Sequence, residues 1–575
     1  MARSALLFTV DDLRASSLAC YGDNITRSPN IDAIAARGTL FEHAYAPSPW
    51  CAPSRQSLMR SRHHGRVALP SPESFASFPS VGAHLRRNGF FTARSGKIFH
   101  MDVPGDQMHN LDGHDDAASW SERYNAVGNE SETSGSYTEL SVPSSYRKQQ
   151  RQGPYDPHRF FVTVRASSAS GEDQADYAAA SKAVELLHQR RHRDERFFLA
   201  VGFVRPHFPY VAPRRYFDQY PPEAMPLPTV SASDRNGKPA AASWMGEGTA
   251  AAYAGIVSAG PAAQREVWSA YRAALSFMDH QVGRVMHALD RLNLSQTTVV
   301  ILLADHGYRM GEHGLWMKHA MHEEVTRVPL LIAVPPTAPG RWTASPLRGQ
   351  RVGHVVELVD VVPTLLDLLA VPPLPTAQGS SLRPLLHLGD AHQRTAHWQG
   401  RSALTLFFNG SDRWRLTSGL RSPRHTYIRF ADGSEELYDM HTDARQHINL
   451  ARSDAPAHVA VLQSQRDALN RRLKAISISS ATHSANARPA STSSSSNAAS
   501  TYTTHPSHSS SSSVSAAAKQ NEVQTPEPWR CSTWHCQNYG GSNEAGAAPR
   551  ASSSTRIWSP SRWFGGRRLR PTTVK

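Results

Sequence analysis

Cysteine is scarce in this chain: four in 575 residues, two near the start (Cys20, Cys51) and two near the end (Cys531, Cys536). So few thiols, so placed, do not make a disulfide framework for a protein of this length. Long apolar runs are missing as well. No stretch reaches the roughly 18 residues that a membrane-spanning helix needs. The one candidate for a secretory core, "SALLFTV", runs directly into Asp11, Asp12 and Arg14 with no small-residue cleavage site, so it reads as a strand. As it stands the sequence reads as cytoplasmic, or as secreted or lysosomal in type if its N-terminus is truncated. Internal repeats are also absent.

What is present divides into three zones. The chain is too long for one core. From residue 1 to about 375, short apolar runs bounded by turns alternate with helical patterns, which predicts an α/β domain with a largely parallel sheet. In "REVWSAYRAALSFMDHQVGRVMHALDRLN" the residues Val267, Tyr271, Ala274, Met278, Val282, Val285, Leu289 and Leu292 fall three or four apart. That spacing predicts an amphipathic helix leading into the strand "TTVVILLA". Residues 376–475 predict a smaller antiparallel sheet with the turn "DGS", closed by the helix "APAHVAVLQSQRDALNRRLKAI". Residues 476–575 are Ser-rich and predict a disordered tail. The formal charge is +14, and the tail carries ten Lys/Arg against three Asp/Glu. Half of the basic excess therefore sits in the last sixth of the chain, where weak electrostatic contact with polyanions is the expectation.

Four apolar runs end in polar groups of a recurring kind. "ALLFTV" ends in Asp11 and Asp12, "VVILLA" in Asp305 and His306, "RFFLAVGFV" in Arg205 and His207, and "GFFTARSG" in Lys97 and His100. In open α/β sheets ligands bind beyond the carboxyl ends of the strands. Three carboxylates from two distant strands suit a hard divalent cation, which wants several oxygens. The lysines and histidines suit an anion held beside it.

These residues stand in familiar motifs. "CAPSR" at 51–55 matches the signature Cys-x-Pro-Ser-Arg; "VDDLR", "YGD" and "SPNIDAIAARGTLFEHAYA" precede it, and "SGKIFH", "FFLAVGFVRPHFPY", "ADHGYRMGEHGLWMKH" and "EELYDMHTDARQHINLA" follow it. Together they resemble the type I sulfatases, in particular the iduronate-2-sulfatase branch, over roughly residues 4 to 452. The resemblance implies an alkaline-phosphatase-like fold: a large mixed, mostly parallel sheet between helices, with a smaller C-terminal antiparallel sheet. It implies hydrolysis of a sulfuric ester in a sulfated carbohydrate, with Cys51 oxidised to Cα-formylglycine by a formylglycine-generating enzyme. By the same resemblance Asp11, Asp12, Asp305 and His306 hold one calcium ion, with residue 51 completing the shell. Arg55 would orient the nucleophile, Lys97 and Lys318 would clamp the sulfate, His100 would drive release, and His207 would protonate the leaving alcohol.

Departures and rival readings accompany it. The family usually continues x-x-Leu-x-Thr-Gly-Arg, whereas "QSLMRSR" puts Arg60 and Ser61 at Thr-Gly, which predicts less efficient conversion because glycine takes φ angles that serine adopts only at a cost. The alternatives are a phosphoesterase of the same superfamily and a non-catalytic polyanion-binding protein with Cys51 unconverted. No specific nucleic-acid partner is expected. His63 and His64 read as helix surface. "CSTWHC" at 531–536 is too small a cluster to fill a zinc shell. The sequons at Asn24, Asn129, Asn293 and Asn409 carry meaning only in a secreted chain.

Overall fold

An apolar run with no polar face can settle only where both faces of a sheet are covered. Three such runs, Ser4–Val10, Phe197–Phe203 and Thr298–Ala304, are buried at all seven positions and lie side by side. The structure is a computed structural model that describes residues 2–64, 78–140, 161–191, 194–243, 254–335, 348–386, 398–408 and 416–486. The serine-rich tail beyond residue 486, with its Cys531–Cys536 cluster, and the sequon at Asn409 lie outside the described residues.

The nine-stranded sheet runs in the order Arg327–Val328, Thr39–Tyr45, Leu330–Ala333, Thr298–Ala304, Ser4–Val10, Phe197–Phe203, Phe91–Gly96, Glu122–Tyr124, with Gln350–Glu357 also pairing with Thr39–Tyr45. Leu6 stands opposite Leu199 on one side and Val300 on the other, both in parallel register. Only Arg327–Val328 and Leu330–Ala333 pair antiparallel with their neighbours. This is the expected mixed, mostly parallel sheet. The predicted helix spans Gly260–Arg291, with Val267, Tyr271, Met278, Val282, Val285 and Leu289 fully buried. It packs against the helices Pro29–Arg37 and Ala175–Arg190.

A three-stranded sheet of Gly135–Glu139, Val162–Ala166 and Tyr210–Pro213 had no signal in the sequence pattern, since its strands are short and partly polar. The C-terminal sheet is the expected antiparallel meander, Ala403–Phe408, Leu416–Arg421, His425–Arg429 and Glu435–Asp439. In the "DGS" turn, Gly433 takes φ 86° and Ser434 N donates to Asp432 Oδ1 at 2.9 Å. Leu404, Leu406, Leu420, Tyr427 and Leu437 pack against Leu462 and Leu469 of the closing helix Pro456–Asn486. That helix runs past residue 475. No helix among the described residues is long and apolar enough to cross a membrane.

The expectation for His63 and His64 is corrected. Both are buried, beyond the end of the helix Cys51–Arg60. His63 Nε2 lies 3.2 Å from Glu357 Oε1, and the His64 ring meets Phe408 with centroids 5.5 Å apart. Partners from remote strands, which no local pattern displays, draw them inward.

Candidate active site

Every parallel strand of the large sheet delivers its following residues to the same edge. Asp11 and Asp12 follow Val10, Lys97 follows Gly96, Arg205 and His207 follow Phe203, and Asp305 and His306 follow Ala304. Because the next strand returns antiparallel, the segment 305–326 stays at this edge and brings Lys318 with it. Cys51 opens the helix Cys51–Arg60, which follows the strand Thr39–Tyr45. Its loop is fixed from the C-terminal sheet, where Leu406 N donates to Pro47 O at 3.0 Å and Thr405 Oγ1 to Ala46 O at 2.7 Å.

The structure brings all the expected site residues together. Lys97 Nζ stands 2.5 Å from Asp11 Oδ2. Lys318 Nζ donates to Asp12 Oδ1 at 3.1 Å and lies 3.7 Å from Cys51 Sγ. Arg55 Nε donates to Asp305 Oδ2 at 2.7 Å, and Nη2 lies 3.7 Å from Asp11. His306 Nδ1 is 3.3 Å from Asp12 Oδ1, and His207 Nε2 is 3.8 Å from Asp12 Oδ2. His100 Nε2 pairs with Asp102 Oδ1 at 3.0 Å, and its ring has the Cys51 thiol as a second partner. One donor atom from each of Asp11, Cys51, Asp305 and His306 falls within 4.8 Å of the others, and so do those of Asp11, Asp12 and His207. Asp11 Oδ1 and Asp12 Oδ2 are buried without a hydrogen-bond partner, the pattern of donors turned toward a cation, and the Cys51 thiol also partners His306.

The electrostatics match this crowding. Burial opposes ionisation of Cys51, yet Lys318, His100 and Lys97 outweigh it and hold the thiol well below its ordinary value. Burial pushes Asp12 up to about 7 against Lys318, and the neighbouring Asp11 adds to the rise. Burial also raises Asp305 against Arg55. Asp11 is held well below the usual carboxylate range: burial works against this, but Lys97, His207 and Arg55 prevail. Burial and then Lys318 hold His207 well below its ordinary value. Three carboxylates thus face the cations Lys97, Lys318 and Arg55, so a bound divalent ion would leave the site positive and receptive to an anion.

Several supporting residues escaped the sequence reading. Asp102 positions His100; its only signal was a place two residues further on. Ser54 Oγ donates to Asp305 O at 2.6 Å, and Asp176 accepts from Val204 N and Arg205 N at 2.7 and 3.0 Å. Tyr271, expected only as a core position, donates to Asp12 O at 2.9 Å. The unusual Arg60–Ser61 pair is built into the fold. Arg60 lies over the Phe99 ring at 5.3 Å and donates to Phe78 O at 3.0 Å. Ser61 takes the left-handed conformation, φ 53°, and its Oγ donates to Val359 O at 2.6 Å. The conformation that glycine would favour is thus retained, with a hydrogen bond offsetting part of its cost.

The Sulfatase family model matches residues 3–371, and that of N-sulphoglucosamine sulphohydrolase, C-terminal, matches residues 311–475. Iduronate 2-sulfatase of Mus musculus is 30% identical over 443 residues, 68% of this chain and 75% of that protein. Iduronate 2-sulfatase of Homo sapiens is 32% identical over 407 residues, 65% of this chain and 70% of that protein. The solved phosphonate monoester hydrolase of Agrobacterium radiobacter aligns with TM-score 0.64 at 22% identity, covering 82% of this chain and 95% of that one, a likeness of fold. The architecture is alkaline-phosphatase-like. With a family match across most of its length and iduronate 2-sulfatases among its relatives, the chain belongs to the type I sulfatase family.

Proposed function

We propose that this chain removes sulfate from a sulfated sugar or polysaccharide, using residue 51, oxidised from cysteine to formylglycine, beside one calcium ion. Sulfate ester hydrolysis is the activity of the family; the nucleophile, the ion and the sugar are the finer reading. The observation that carries it is the placement of Cys51, 2% exposed, among three carboxylates, Lys318 and His100. Asp11, Asp12 and Asp305 would hold calcium, with residue 51 and His306 completing the shell, and their oxygen-rich donor set fits that ion. When present, the hydrated aldehyde supplies an oxygen nucleophile that the cation makes easier to deprotonate, and a second hydroxyl for release.

The chain's own side chains do the rest. Lys97 and Lys318 place two ammonium groups where the sulfate oxygens gather charge during transfer. Arg55 holds the helix carrying residue 51 against Asp305 and the Lys97 and Ile98 carbonyls, at 2.7, 2.5 and 3.1 Å. Asp102 fixes the His100 ring, which can then take a proton from the second hydroxyl. His207 Nδ1 faces Phe208 O at 2.5 Å, which leaves Nε2 for the substrate. A bound sulfate raises the proton affinity of that nitrogen and offsets the depression by burial and Lys318, so His207 is the acid for the leaving alcohol. The likeness to iduronate 2-sulfatases puts uronate 2-sulfates first among the sugars to assay.

Mass spectrometry of the tryptic peptide holding residue 51 is expected to show the aldehyde in place of the thiol. Cys51→Ala is expected to abolish aryl sulfate turnover while leaving the fold intact. An active Cys51→Ala enzyme would sink the mechanism. A parallel assay with aryl phosphate separates the phosphoesterase reading, and an unconverted, inactive protein favours polyanion binding.

A further inference from the structure

The segment 305–326, which carries Lys318, also carries a second group of ionisable side chains. His313 Nδ1 faces both oxygens of Asp234, at 2.9 and 3.2 Å, and its Nε2 lies 3.5 Å from Glu324 Oε2. The His322 ring is 4.5 Å from that of His313, and its Nε2 meets Glu436 Oε2 at 3.0 Å. The His447 ring stands 5.9 Å from His313. One donor atom each from Asp234, His313 and His447 falls within 4.8 Å of the others. Asp234, His313, His322 and Glu436 are 0%, 4%, 1% and 0% exposed. Even so, His322 Nδ1 is buried with no hydrogen-bond partner, whereas His313 Nε2 and Glu324 Oε2 serve each other and Glu436 is shared with Tyr438.

Such a nitrogen is costly to bury unless something meets it. One cation is close by: Lys238 Nζ is 3.2 Å from Asp234 Oδ1, though it also serves Tyr438 OH and Gln446 O at 2.9 and 3.1 Å. Arg14 pairs with Glu312 at 2.6 Å and also acts on Glu324, and Arg309 faces His322. Three carboxylates therefore surround the histidines with one ammonium in contact.

We propose that Asp234, His313 and His447 form a structural site for a transition-metal cation of the zinc type, with His322 or solvent at the fourth position. Imidazole and carboxylate donors suit such ions, whereas calcium prefers an all-oxygen shell. Bonds of about 2.0–2.1 Å place tetrahedral donors roughly 3.3 Å apart, so a small rotation of His447, the most exposed of the three, closes the shell. The site joins the segment 305–326 to the loop after the C-terminal sheet, and so fastens Lys318 in place. Its rival occupant is a proton: burial opposes it, but Glu324 and Asp234 raise His313 to about 9.

The test uses the full-length chain saturated with Ca2+, carrying Cys20→Ser, Cys51→Ser, Cys531→Ser and Cys536→Ser so that no thiol competes for the metal. Titration with Co2+ is expected to give one equivalent with the intense visible bands of a low-coordinate nitrogen–oxygen site, bleached by Zn2+. His447→Ala and Asp234→Asn are each expected to weaken Co2+ binding by at least about tenfold, while Asp305→Asn leaves it unchanged. Circular dichroism reports whether each variant folds, and the half-buried His447 decides if Asp234→Asn does not. Absence of the bands, equal affinity in His447→Ala, or a protonated His313 seen by NMR at neutral pH in metal-treated protein overturns the proposal.

Discussion

His64 is packed against Phe408, and its N–H donates to Ser57 Oγ at 3.0 Å. Burial, and then the neighbouring His63, depress its imidazole from 6.5 to about 3. Within that window the unfolded chain binds a proton that the folded chain refuses. The stability is thus fully present above the unfolded value and is lost as pH falls toward the folded one, by about 1.4 kcal/mol per unit. His64→Gln is expected to lose less stability than the natural protein between about pH 7 and about pH 5, read from urea midpoints. Equal slopes would remove His64 as the cause. The residues of "ADHG" were legible because chemistry-bearing groups stood at the end of an apolar run, whereas "CAPSR" was legible only through its resemblance to a family signature. His63 and His64 were misplaced because Glu357 and Phe408, which bury them, come from the far end of the chain.

Where the strands Phe91–Gly96 and Phe197–Phe203 run out together, their backbones nearly touch. A Cβ at Gly202 would lie 2.1 Å from Lys97 O, the carbonyl that accepts from Arg55 at 2.5 Å and from Thr9 Oγ1 at 3.2 Å. Gly202→Ala is therefore expected to cost about 1–3 kcal/mol in stability, seen as a lower melting temperature. Turnover is expected to fall further than folding does, because Lys97 moves with its carbonyl. An alanine variant with unchanged melting and turnover would disprove the close approach. Strands and the long helix were readable from their periods. Strand direction was not: a fully buried run looks the same whichever way it points, so the reversal at Leu330–Ala333 came only with the structure. The sheet containing Gly135–Glu139 was hidden because "GSYTE" has neither a uniform apolar run nor a clean alternation.

Across the whole molecule, the site draws on segments from Asp11 to Lys318, held in place by the sheet and by little covalent chain. A cation binding the folded protein alone stabilises it by about 2.7 kcal/mol at a hundredfold excess over its Kd. Exhaustive chelation is therefore expected to lower the melting temperature and abolish aryl sulfate turnover, with both restored as Ca2+ is added back. No change in either would refute the metal assignment.

The order of strands also sets a clock. Among the described residues, the strand Thr39–Tyr45, which leads into Cys51, has as its sheet partners only Arg327–Val328, Leu330–Ala333 and Gln350–Glu357, all made much later. During synthesis at about 5–20 residues per second, the sulfur-bearing helix therefore waits on the order of 15–55 s before the segment bearing Lys318, which lies against Cys51, and those strands exist. Any enzyme that rewrites Cys51 has that interval, while the chain is still growing, to reach a side chain that the finished protein leaves 2% exposed.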